Sequence, residues 1–194
     1  MNDARYLLRI RLLDIQPEIW RRFLVPSDIT LDRLHDVVQI VMGWTDGHLF
    51  EFLINDERYT EFVESPEDGL ESDEYRLANL VDDEGCVFHY LYDLGDNWRH
   101  ELVVEEIRHS GSLHLVELAC LEGERACPPE DVGGVGGYFE LCRALGDPNH
   151  EEHRAYIEWL GYHYDPEYFD IHDVNDELLK YLRWSRHRHL PWGG

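Results

Sequence analysis

Lysine is almost absent from this chain. Lys180 is the single lysine among 17 basic residues, which face 41 acidic ones for a formal charge of −24. Such a surface repels phosphate backbones and argues against direct nucleic-acid binding, whose non-specific affinity comes mainly from Lys and Arg neutralising phosphates; the Arg-rich tail is the one stretch that could support it. Long apolar runs are missing too. No stretch approaches the roughly 20 apolar residues of a membrane span. Arg5, Arg9 and Arg11 interrupt the first apolar residues, so no signal peptide and a cytoplasmic location are expected. Cysteine is sparse: Cys86, Cys120, Cys127 and Cys142 lack CxxC spacing, which argues against a zinc ribbon and for reduced thiols. Catalytic signatures fail as well. There is no GxSxG elbow and no GxxxxGK[ST] loop, and His150-Glu151-Glu152-His153 spaces its histidines three apart where a zincin helix needs four.

What is present suffices for a core. Apolar residues make up 43% of 194, with 6 Trp, 11 Tyr and 7 Phe, so residues 1–194 are read as one domain needing no staple. The acid is uneven. Between Asp56 and Glu84 there are 12 acidic residues against Arg58 and Arg76, which marks an acidic loop insertion over about 56–84. After Glu177 come only Lys180, Arg183, Arg186 and Arg188, so residues 183–194 form a basic tail. Such runs are solvated faces, or docking surfaces for a basic partner.

Alternation over Arg5–Leu13 and the apolar run Ile19–Val25 predict two strands, the second ended by Pro26. Thr30 is expected to cap a helix with a stripe of Leu31, Leu34, Val38, Val41 and Met42, ended by Gly43. Leu49–Ile54 and Glu57–Val63 read as a hairpin across Asn55-Asp56, with a short helix near Leu77. Cys86–Asp93 and Trp98–Ile107 flank the turn Leu94–Asn97, and Leu113–Leu118 extends the meander. Ala119–Gly137 shows no periodicity and reads as a long irregular loop, with a helix beginning near Gly137. Asp147-Pro148 opens a helix closed by Gly161, and Asp173 caps a last one. Strands first and helices last make the fold class α+β. A mainly antiparallel sheet carries a helix after its second strand and a C-terminal helical group packed on it.

Two places gather chemistry. If the hairpin pairs Asp93 with Trp98 and Leu91 with His100, then His89, Asp93, Trp98 and His100 share one face. That set suits a metal site or an acid–base pair, or else each imidazole is a hydrogen-bonded core group; a one-residue slip separates them. The second place is Cys127-Pro128-Pro129-Glu130-Asp131-Val132-Gly133-Gly134. Its carboxylates can hold a cation and its glycine N–H groups an anion, or the whole is a rigid turn whose carboxylates cap the next helix. His48, in Gly43-Trp44-Thr45-Asp46-Gly47-His48, reaches the sheet face or caps its turn.

Four ordered blocks are distinctive: Gln16-Pro17-Glu18-Ile19-Trp20-Arg21-Arg22 through Gly43–Leu49; Tyr92–Glu101; Ala126–Gly134; and Phe169-Asp170 with Val174-Asn175. Together they resemble the plasmid pRi ORF-three-like family, whose members also occur as passenger, resolvase-like proteins of insertion elements. The resemblance spans roughly Tyr6–Leu182 and implies an α+β domain associated with plasmids and transposons, without a settled activity. Recombinase chemistry finds no nucleophilic serine motif here. Two positions depart from the family's usual pattern: Phe50 replaces the second histidine of His-Leu-His, and Val132 replaces cysteine. His48, Asp93, Asp96, His100, Glu130 and Asp131 match.

The expected function is an accessory or binding protein of mobile DNA that acts through protein contacts. The alternative is a metal-dependent hydrolase or nuclease. There His48, His89, His100 and Asp131 would hold a divalent metal, with Asp93, Asp96 and Glu130 as further carboxylates.

Overall fold

The computed structural model describes residues 4–65, 67–109 and 118–187, with side chains through residue 183. Its strands are β1 (Ala4–Leu12), β2 (Trp20–Pro26), β3 (Phe50–Ile54), β4 (Glu57–Thr60), β5 (Leu70–Glu71), β6 (Val87–Tyr92), β7 (Trp98–His109) and β8 (Ala119–Glu124). They make one sheet in the order β5-β4-β3-β6-β7-β1-β2-β8, antiparallel except for β4–β5. The period of two puts Tyr6, Leu8, Ile10 and Leu12 of β1 on the inner face. Phe50, Phe52, Phe88, Tyr90, Tyr92 and Trp98 share that face and are buried with them. Each such side chain contributes about 1.5–3 kcal/mol.

Helix α1 (Leu31–Met42) lays its apolar stripe on this face and ends at Gly43, whose φ of 100° places it in the left-handed region. Thr30 has the extended cap backbone but makes no side-chain cap bond. The Leu31 N–H goes instead to Tyr75 O at 3.0 Å, so the helix start is tied to the acidic segment. That segment is no free loop. It holds β4, β5 and two 3-10 turns, Ser72–Glu74 and Leu77–Asn79, and buries Leu77 and Val81. The β3–β4 turn has Asn55 and Asp56 at φ 53° and 65°, the left-handed pair a two-residue hairpin requires.

Helices α2 (Gly134–Gly146), α3 (His153–Leu160) and α4 (Ile171–His187) complete the α+β fold. Helix α4 joins α1 through Tyr181 OH, which donates to Asp36 Oδ2 at 2.7 Å. It also covers the sheet edge. The Asn175 amide accepts from Cys120 N and donates to Cys120 O, both at 2.9 Å, occupying groups an edge strand would leave open. Arg21 is buried without a carboxylate and donates to the carbonyls of Val41, Trp20, Glu124 and Arg125, linking β2, α1 and β8.

Sequence expectations also change at the sheet edge and in the helices. Ala119–Glu124 is the edge strand β8, which pairs with β2 through a register shift and so lacks clean alternation. Asp147-Pro148 does not open a helix; α3 begins at His153. Helix α2 begins at Gly134, three residues before the expected start. The strand expected over Leu113–Leu118, apart from Leu118 itself, and most of the basic tail 183–194 lie outside the described residues. Among the described residues, no helix is long and apolar enough to cross a membrane.

Candidate functional site

Three segments meet at one end of the sheet: residues 44–48 after α1, the β6–β7 turn at 93–97, and residues 127–133 after β8. The first is held from below by a closed ring of hydrogen bonds. His35 Nε2 lies 2.7 Å from Asp46 Oδ1, and His35 Nδ1 lies 2.8 Å from Tyr90 OH. Gln39 Nε2 donates to Tyr90 OH at 2.9 Å, and Asp46 N donates to Gln39 Oε1 at 2.9 Å. With the Gln39 amide donating to the phenol oxygen, the ring closes when Tyr90 OH donates to His35 Nδ1 and His35 Nε2 donates to Asp46 Oδ1. Sequence reasoning passed over this ring. Its signal was available: His35 and Gln39 stand one helical turn apart among the apolar residues of α1.

Glu130 and Asp96 fasten the third segment. Glu130 Oε1 accepts from Tyr92 OH at 2.6 Å and Thr45 N at 3.1 Å, and Oε2 accepts from Thr45 Oγ1 at 2.5 Å. Burial alone would raise this carboxyl, but the Thr45 and Tyr92 hydrogen bonds and the nearby His48 hold it below the usual carboxylate range. Tyr92 is pushed up by burial and by Glu130, so its phenol stays protonated. Trp44 Nε1 donates to Pro128 O at 3.0 Å. Asp96 Oδ2 accepts from Gly133 N at 3.1 Å. Gly134 is required by contact: a Cβ there would stand 2.6 Å from Asp96 O. The carboxylates of the Pro-Pro-Glu-Asp loop therefore do not cap α2, whose N-cap is Gly133 at φ 93°.

With Glu130 and Asp96 engaged, His48, Asp93 and Asp131 remain. His48 Nε2 lies 3.3 Å from Asp131 Oδ1 and 3.7 Å from Asp93 Oδ2. One donor atom from each of the three falls within 4.8 Å of the others. Asp93 is aimed by its own turn: Oδ1 accepts from Gly95 N at 2.8 Å and Asp96 N at 3.2 Å, which leaves Oδ2 for His48. The backbone is strained here. Asp46, Asp93, Asn97 and Asp131 all have φ between 53° and 66°, a region that short polar side chains tolerate best. Asp93 is buried, His48 half-buried and Asp131 exposed, so the group opens to solvent on one side.

The other expected residues do not join it. The hairpin pairs Tyr92 with Trp98 and Tyr90 with His100, one residue away from the expected register. The turn has five residues because Asn97 N closes onto Asp93 O at 2.6 Å around the Asp93 side chain. That shift turns His89 to the opposite face, exposed and across from Glu101. His100 is wholly buried; its Nδ1 donates to Tyr90 O at 3.2 Å, and its Nε2 has no hydrogen-bond partner among the described residues. Burial pushes this imidazole down to about 3, so it is a neutral core group. Trp98 is buried in the core with its ring 6.2 Å from Trp44. The departures from the family pattern are also placed: Phe50 stacks on His35 at 3.7 Å, and Val132 is buried beside Asp131.

Comparison with known proteins agrees with this architecture. The family model of the plasmid pRiA4b ORF-3-like protein matches residues 4–173. The uncharacterised protein y4hQ of Sinorhizobium fredii is 39% identical over 185 residues, covering 92% of this chain and 93% of its own. Among solved structures, the protein of unknown function MM3350 from Methanosarcina mazei superposes with a TM-score of 0.79 at 35% identity. That match covers 90% of this chain and 99% of the other. The site segments at 44–48, 93–97 and 127–133 all fall within the matched range, and the chain belongs to the plasmid pRiA4b ORF-3-like protein family.

Proposed function

We propose that this chain is a divalent-metal-binding protein whose cation is held by His48 Nε2, Asp93 Oδ2 and Asp131 Oδ1. The carrying observation is the convergence of these donors within 4.8 Å, with the second oxygen of Asp93 already committed to turn amides. One imidazole and two carboxylates suit zinc, manganese or iron more than a soft ion. Three protein donors leave coordination positions for water or an incoming group. The elements behind the site are rigid: the ring beneath residues 44–48 and the Glu130 bonds fix two of the three segments before any ion arrives.

The family's plasmid origin supports an accessory role beside mobile DNA. A charge of −24 directs that role toward protein contacts and away from direct DNA gripping. Hydrolysis is the second reading, since a cation with open positions activates bound water. Elemental analysis of tag-free protein, with melting before and after chelation, tests the proposal. Near-stoichiometric metal that is lost in His48→Ala supports it; no metal and no chelator effect would sink it. Turnover of a phosphate or carboxylic ester by the loaded protein, abolished by Asp131→Ala, is the outcome hydrolysis requires.

A further inference from the structure

Beside Asp131 a groove of about 320 Å³ runs between the 131–132 loop and helix α3, lined by Asp131, Val132, Glu152, Ala155, Tyr156 and Trp159. Its α3 side follows from helical spacing: Glu152, Tyr156 and Trp159 are four and three residues apart and fall on one face. The Tyr156 and Trp159 rings stand 6.3 Å apart at 83°, an edge-to-face contact, and both line the groove. Trp159 is 48% exposed, unusual for so large an apolar side chain. The charge along the groove has one sign. Two carboxylates line the groove and no Lys or Arg does. Among the described residues, Glu152 makes no ion pair, whereas Arg154 on the same helix is engaged with Glu158 at 2.7 Å.

We propose that this groove binds an arginine or lysine side chain of a basic polypeptide partner. A ring face attracts a cation through its quadrupole, and the half-exposed Trp159 offers one beside Tyr156. The carboxylates of Glu152 and Asp131 then supply hydrogen-bond acceptors for the charged head, while Ala155 and Val132 line the groove with apolar surface for the aliphatic stem. The overall charge of −24 draws a basic chain toward the protein, and the aromatic pair decides where it docks. Glu152, Tyr156 and Trp159 are not cation donors in the metal site. The groove therefore stands or falls apart from the metal reading, with Asp131 the one shared residue.

The test is fluorescence anisotropy of a labelled oligo-arginine peptide at about 0.15 M salt, where diffuse attraction is screened beyond roughly 8 Å. Titrations are run with and without chelator, so that any metal on Asp131 is accounted for. Trp159→Ala is expected to weaken binding about tenfold, while Trp159→Phe keeps an aromatic face and stays within about threefold. Glu152→Gln should weaken it at least threefold, about the effect of one partly screened charge. Asp73→Asn removes an equal charge at an exposed place in the 72–74 turn and should change nothing. Unaltered binding by Trp159→Ala, equal losses from Asp73→Asn and Glu152→Gln, or no peptide binding at all would overturn the proposal.

Discussion

Two groups each combine one histidine with two acids, His35 with Asp36 and Asp46, and His48 with Asp93 and Asp131, and they differ in one respect. Around His35 the polar atoms are taken by the protein: both ring nitrogens are bonded, at 2.8 and 2.7 Å, and Tyr90 and Gln39 close the circuit. Around His48 the nearest carboxylate oxygens stand off at 3.3 and 3.7 Å, while the far side of Asp93 is tied down. A closed ring of this kind is structural, because ion entry would break hydrogen bonds that cost about 1–3 kcal/mol each to leave unmade. The open group has its donors aimed and spare. Histidine with carboxylates is therefore a poor indicator of a metal site by itself; the count of uncommitted donor atoms separates the two cases.

The sharpest way to break the comparison is His35→Ala. It removes the stack on Phe50 and strips Tyr90 and Asp46 of their partner, so urea denaturation should show a loss of about 3 kcal/mol. A loss under about 1 kcal/mol would mean that the ring does not hold the loop. Metal addition comes next. At a hundredfold excess over Kd, zinc or manganese should stabilise the wild type by about 2.7 kcal/mol and His48→Ala not at all. His48→Ala without metal should cost less than about 1 kcal/mol, the reverse of the His35 behaviour.

A third test uses His100, a histidine neither ringed nor open but sealed. Its folded value is depressed to about 3 against an ordinary 6.5, so between those values the unfolded chain binds a proton that the folded chain refuses. Stability should therefore fall as pH drops through that window, by about 1.4 kcal/mol per unit, and His100→Gln should flatten the profile by that slope. Coincident wild-type and variant slopes would contradict the burial argument. The smallest effect belongs to His89, which points away from the site. His89→Ala should change stability by less than about 0.5 kcal/mol and leave metal content untouched.

Much of the fold was legible because its signals are local. Period-two burial marked β1, the apolar stripe and Gly43 marked α1, and Asn55-Asp56 marked a hairpin. The candidate site was legible in part. The sequence points to His48, Asp93 and Asp131, but it joins His89 and His100 to them through a register that it does not determine. Leu94-Gly95-Asp96-Asn97 makes a plausible four-residue turn, and nothing local reveals that Asp93 folds its carboxylate inward and lengthens it. Helix α2 was misplaced for a different reason. Gly134-Val135-Gly136-Gly137 has poor helix propensity, and two of its glycines answer to space: a Cβ on Gly134 would sit 2.6 Å from Asp96 O and one on Gly137 1.8 Å from Val132 O. The role of Glu130 was hidden because Thr45 and Tyr92, its partners, lie far off in sequence.

That separation has a kinetic consequence. His48, Asp93 and Asp131 come from three stretches joined only when β3, β6, β7 and the loop after β8 have all docked, and no two of them are neighbours along the chain. A nascent or half-folded chain thus presents single weak donors, and the ion has nothing to nucleate around. If the proposed site takes its cation, uptake is expected as a late event, rate-limited by chain closure instead of diffusion. In a stopped-flow refolding experiment, the metal signal should trail the burial of tryptophan and never precede it.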